Sequence, residues 1–149
     1  MRILSMLVLS LVVFSIGNSQ GKFISPIKND DNISRRFGEV TSPDPDTRRQ
    51  HSRIDIDVPV GTPVLAASAG KVIQAETISN YGTVVKIHHS KGVRTFYAHL
   101  SKLAVKKGQS VEQGAIIAYS GASTSSSAPH LHYEVFVKGQ RVDPGAYLR

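Results

Sequence analysis

The stretch His51-Ser52-Arg53-Ile54-Asp55-Ile56-Asp57-Val58-Pro59 can be read with two different periods. On a helix, His51 and Asp55 stand four residues apart and share a face. On a strand, Ile54, Ile56 and Val58 share one face and Asp55 and Asp57 the other. The strand period wins, because the apolar residues alternate without a break and Pro59 stops the run at once. Asp55 then faces away from the isoleucines, and His51 reaches in from the preceding loop. Asp57 shares that face and is the rival carboxylate.

The same texture continues to the C-terminus. Thr83 to His88, Val93 to Tyr97, Ala115 to Tyr119 and His132 to Val137 read as short strands rich in β-branched and aromatic residues. Asn80-Tyr81-Gly82, Ser90-Lys91-Gly92 and Lys138-Gly139-Gln140 read as the turns between them. No window carries an amphipathic helix of about ten residues, so the expected fold class is all-β, with few or no helices. Val58-Pro59-Val60-Gly61-Thr62-Pro63-Val64 is echoed by Val105-Lys106-Lys107-Gly108-Gln109-Ser110-Val111 as V-x-x-G-x-x-V. That repetition predicts two related halves packed as one sandwich. Residues 20–50, with the loop-forming run Ser42 to Gln50, form an N-terminal extension, a loop and a first strand before a core at 51–149.

The chain has 149 residues and no cysteine. One domain of this size buries a sufficient core without a disulfide, and thiolate metal sites and cysteine nucleophiles are excluded. Met1-Arg2, the apolar run Ile3 to Ile16 and the small or polar Gly17, Asn18 and Ser19 read as a secretory signal peptide over 1–19. The alternative is an N-terminal membrane anchor, for which the run is short. The formal charge is +7, or +6 without residues 1–19, which carry Arg2 and no acid. An exported basic domain suits an anionic cell envelope or wall surface. Basic runs interleaved with aromatics, as single-stranded nucleic acid prefers, are missing, so no nucleic-acid partner is expected.

Six histidines stand at 51, 88, 89, 99, 130 and 132. His130 and His132 flank Leu131 in a strand-like run, so their imidazoles point the same way, and Glu134 continues that row. Two histidines and one carboxylate form the ligand set that suits Zn²⁺ at a catalytic site, with a fourth position left for water. Further histidines nearby are what proton transfer at such a site needs. Spacing by itself does not say which histidines are ligands.

The ordered set H-S-R-I-D (51–55), G-T-P-V-x-A (61–66), Y-A-H-L (97–100), V-x-x-G-Q-x-V (105–111) and A-P-H-L-H-Y-E (128–134) resembles the lysostaphin-type (LytM-type) zinc metallopeptidases that cut peptidoglycan. The resemblance runs from about Ile33 to Leu148. It implies a compact antiparallel β-sandwich with a narrow groove. It also implies one zinc per chain held by His51, Asp55 and His132, with His99 and His130 acting on the water and the scissile carbonyl. Glu134 is then a partner that orients an imidazole. Arg53 departs from the family's usual glycine and sets a cation between two ligands. Ser125-Ser126-Ser127-Ala128 replaces its usual glycine-containing approach to the second histidine pair, which bears on substrate choice.

His88 and His89 are read as surface or turn structure, Tyr81 and Tyr97 as packing residues, and residues 20–32 as a candidate cover for the groove. The resemblance points to a monomeric, exported endopeptidase acting on peptidoglycan peptides, either D,D-cross-links or glycine bridges. The alternative is a non-catalytic wall-binding or regulatory domain of the same fold that activates another hydrolase. Retention of all five expected residues favours the enzyme. A swinging-arm carrier, suggested by the V-x-x-G-x-x-V echo, lacks a modifiable lysine at Asn80-Tyr81-Gly82.

Overall fold

The computed structural model describes residues 23–29, 32–40, 42–46, 48–122 and 128–148. The expected signal peptide and Ser125 to Ser127 lie outside the described residues. Ten strands are formed among the described residues: β1 (Ile33–Arg35), β2 (Ile54–Asp57), β3 (Pro63–Leu65), β4 (Gly70–Ile78), β5 (Gly82–His88), β6 (Val93–Leu103), β7 (Ser110–Val111), β8 (Ile116–Ser120), β9 (His130–Val137) and β10 (Gln140–Val142). Among the described residues the helical segments are two 3₁₀ turns, Ser90–Gly92 and Pro144–Ala146. Every strand pairing is antiparallel. The all-β class expected from the sequence is therefore the class of the fold.

The strands run in the order β1-β2-β9-β6-β5-β4-β7, with β10 added to β9 and the pair β3-β8 joined through β6. Alternation decides which side of this sheet is core. Ile54 and Ile56 of β2, Tyr97 of β6 and Leu131, Tyr133 and Val135 of β9 are buried in one continuous apolar cluster. The residues between them face the other way. Asp55 lies opposite His132, Asp57 opposite His130, and Ala98 beside His132. Strand period and register thus bring Asp55 and His132, 77 positions apart in the chain, onto one patch of sheet.

One strand joins the two layers. β6 pairs with β9 from Val93 to Ala98 and with β8 from Leu100 to Leu103. The change of partner falls at His99, whose φ is +60°, a left-handed conformation that costs a residue with a Cβ. The His99 amide is taken out of the ladder and donates instead to the Tyr81 carbonyl (3.0 Å). A strand that bulges as it passes from one layer to the other is how a sandwich turns its corner. Gly121 backs this corner: a Cβ there would stand 2.7 Å from the His99 carbonyl oxygen and 2.9 Å from the Ser101 amide nitrogen.

Several sequence expectations are refined. Gly61 (φ +88°) and Gly108 (φ +93°) both close turns that lead into short strands, so the V-x-x-G-x-x-V echo corresponds to one turn used twice. Those strands have different partners, β8 for β3 and β4 for β7. The nine-residue β4 was not read from sequence, because a bulge between Val72 and Gln74 breaks its alternation. Residues 23–27 do not cover the histidine face. The Ile24 amide bonds the Ala67 carbonyl, the Leu65 amide bonds that of Pro26, and Phe23 packs edge-on to His89 and Tyr147 on the core side.

Gly121→Ala is expected to lower stability by about 1–3 kcal/mol, as forced overpacking does, because all three nearest atoms are backbone. A thermal melt no lower than wild type would show that the corner can yield.

Candidate active site

β2, β6 and β9 deliver Asp55, His99, His130 and His132 to one place, and the loop before β2 adds His51. All five are buried. Burial of so many polar groups demands partners, and the partners define the chemistry. The His51 Nδ1–H donates to the Arg36 carbonyl (3.2 Å). In the neutral ring this leaves the Nε2 lone pair facing Asp55 Oδ2 at 3.2 Å, so two acceptors confront each other. His132 donates from Nε2 to Glu134 Oε1 (2.6 Å), which leaves Nδ1 as its lone-pair nitrogen. His130 donates from Nδ1 to the Ala128 carbonyl (3.1 Å), and its bare Nε2 lies 3.9 Å from Asp55 Oδ1. Each ring is thus anchored through one nitrogen by an oxygen outside the cluster. That is the anchoring by which metal-binding imidazoles are oriented.

The donor set fits a zinc ion. Two ligands bonded at about 2.0–2.1 Å to a tetrahedral ion stand roughly 3.3 Å apart, close to the His51–Asp55 separation of 3.2 Å. Among the described residues, however, no three ligand side chains are drawn into a finished shell. Two interactions engage members of the set from outside it. Arg53 donates from Nε to Asp55 Oδ1 at 3.1 Å, and His132 is held by Glu134. The set is a converging face, with a cation already resting on its carboxylate.

Electrostatics sort the rings further. Burial, then the neighbouring His132 and His130 rings, pushes His99 down to about 4. Its ring lies 5.2 Å from that of His130 and 5.4 Å from that of His132. His132 is also lowered, chiefly by burial, with Glu134 opposing. Burial alone raises the Glu134 carboxyl, but hydrogen bonds from His132 and Arg141 outweigh it and hold the group below its usual value. Both His99 and His132 are therefore neutral near pH 7, each with a lone pair to offer.

Residues 49–144 match the model of Peptidase family M23. The chain belongs to this family. It is 41% identical over 112 residues to the DD-carboxypeptidase/endopeptidase Mpg of Neisseria meningitidis, over 75% of this chain and 26% of that protein. The peptidoglycan DD-endopeptidase ShyA of Vibrio cholerae is 41% identical over 93 residues, covering 62% of this chain and 22% of that protein. The crystal structure of a zinc-containing peptidase from Vibrio cholerae superimposes with a TM-score of 0.74 at 36% identity, covering 83% of this chain and 39% of that one. This M23 chain spans about a quarter of the length of the two curated relatives.

Other residues find their places around the site. Tyr97 packs in the core, as expected, but Tyr81 stands edge-on to His132 at 5.3 Å and borders the site. His89 is buried rather than on the surface, bonded to the Ala69 carbonyl and to Thr95. Arg141, overlooked in the sequence, donates from Nε to Glu134 Oε2 at 2.6 Å. A buried glutamate beside a histidine needs a second cation, and that need was its only signal.

The lowered His89, His99 and His132 leave the unfolded chain binding protons below about pH 6.5 that the folded chain refuses. The lowered Glu134 acts in the same direction. Stability of the metal-free protein should therefore fall as pH drops from about 6.5 toward about 4. Urea melts in chelator at pH 7.5 and pH 5 test this; equal or higher stability at pH 5 contradicts it.

Proposed function

We propose that this chain is an exported zinc endopeptidase that hydrolyses peptide bonds of bacterial peptidoglycan. The observation that carries the reading is the gathering of His51 and His130 on Asp55, with His132 its partner on the neighbouring strand, each ring committing its N–H elsewhere and keeping a lone pair. The peptidoglycan substrate and the metal are supported by family membership, by ShyA and by the zinc-containing neighbour. Export is supported by the basic tip and apolar run of residues 1–16. All the residues invoked belong to one chain, so a monomer suffices.

His51, Asp55 and His132 would hold the ion. Bound there, Zn²⁺ acidifies a water molecule and polarises the scissile carbonyl. His130 or His99 would accept a proton there and return it to the departing amine. Glu134, tied to Arg141, holds the His132 ring through Nε2 and leaves its Nδ1 lone pair uncommitted.

The purified protein incubated with sacculi should release muropeptides in a chelator-sensitive manner. His132→Ala should lose the metal. His130→Ala should keep one equivalent of zinc by elemental analysis while turnover falls by at least about 10²-fold. Zinc loss in the His130 variant would overturn the division of roles. Absence of any chelator-sensitive release from several wall types would favour the regulatory alternative.

Arg53 sets a positive charge on a carboxylate that the proposed ion also needs. Removing a like charge favours a cation, so Arg53→Gly should tighten zinc binding severalfold in competition with a chromophoric chelator. Unchanged affinity would mean that the guanidinium swings clear when metal enters.

A further inference from the structure

The sheet face that carries the histidines continues well beyond them. His130, His132, Glu134 and Phe136 alternate along β9. Beside them on β6 stand Ala98, Phe96 and Arg94, paired with His132, Glu134 and Phe136 in turn. Lys86 of β5 is paired with Phe96, and Gln74 of β4 with Lys86. From His132 to Phe136 is four residues, roughly 13 Å along an extended strand.

At that far end the face turns cationic. Ile73, Gln74, Ala75, Glu76, Lys86, Arg94 and Lys107 line a concavity of about 330 Å³. Three of these residues are cations, and the single acid, Glu76, already accepts a hydrogen bond from the Gln74 amide (2.8 Å). The cations are organised. The Lys86 ammonium lies 5.2 Å from the Phe96 ring centre and 5.5 Å from that of Phe136, which restrains an otherwise loose side chain. Arg94 directs Nε toward His88 Nδ1 (3.4 Å). Among the described contacts no carboxylate pairs with Lys86, Arg94 or Lys107. In contrast, Arg141 on the same face is engaged by Glu134.

We propose that this cationic shelf is a second binding site on the substrate strand, taking free carboxylates of a wall peptide three or four residues from the bond at the histidine cluster. The proposal rests on the peptidase reading for the identity of the strand. Charge complementarity names the occupant: stem peptides of peptidoglycan carry free carboxylates, and an ammonium restrained over aromatic rings beside a guanidinium held by a histidine suits them. The distance matches the reach of a few extended residues. The shelf would thus select acidic over amidated walls.

The test is co-sedimentation of the purified chain with insoluble sacculi in chelator, so that no bond is cut. One portion of sacculi is native and the other has its carboxyls converted to neutral amides. Wild type should bind the native portion about tenfold more tightly, a difference of about 1.4 kcal/mol. Lys86→Gln with Arg94→Gln should erase that preference, losing binding to native sacculi only. Lys28→Gln with Lys102→Gln removes equal charge from exposed positions outside the shelf and should retain the preference. Equal wild-type binding to both portions, a preference surviving in the shelf variant, or equal loss in the control pair would each overturn the proposal. Muropeptide release measured without chelator reads the peptidase function separately. Binding without release would sink the peptidase reading while leaving the shelf, and release without a preference would do the reverse.

Discussion

At His99 the backbone of β6 turns left-handed, and much of the molecule is arranged around that turn. Before it, β6 lies against β9; after it, β6 lies against β8. A histidine at φ +60° is an uncommon resident of a strand. It is held from two sides, by the Tyr81 carbonyl on its amide and by Gly121 against its carbonyl. The same displacement that lets the sheet change layers turns the His99 ring toward His130 and His132. Fold closure and the placing of the His99 ring beside the other two thus come from one irregularity.

Around this corner the structure solves a problem of buried polarity. Five titratable side chains sit where water is scarce, and isolated they would be destabilising. Anchoring the His51, His130 and His132 rings outside the cluster settles their orientation but leaves the lone pairs of His51 and His130 facing one carboxylate. A cation resolves such a gathering. In this structure part of that role falls to Arg53, whose guanidinium lies on Asp55. Under the proposed function, that internal positive charge would compete with the metal for Asp55.

The sheet face therefore has two electrostatic ends. One end gathers acceptors around Asp55; the other presents Lys86 over the Phe96 and Phe136 rings, with Arg94 held by His88. A peptide strand laid along it would meet both. The excess positive charge of the chain favours anionic surfaces at long range.

Sequence alone determined that residues 54–57 form a strand, because a two-residue apolar period ended by Pro59 leaves no helical solution. It placed His130 and His132 on one side for the same reason. The family resemblance, carried by motifs spread from Ile33 to Leu148, drew His51, Asp55, His99, His130 and His132 together before any coordinates. Local patterns did not reveal β4, whose bulge disrupts alternation, or the buried state of His89. Nor could they show that Arg141 closes on Glu134, since ion pairs across strands depend on register and leave no spacing signal. Tertiary structure alone decided which nitrogen of each ring is free and that Arg53 rests on Asp55. It also set the cationic shelf on the same face as the histidines. Each of these depends on what packs beside a side chain, and strand register fixes that only when the sheet is assembled.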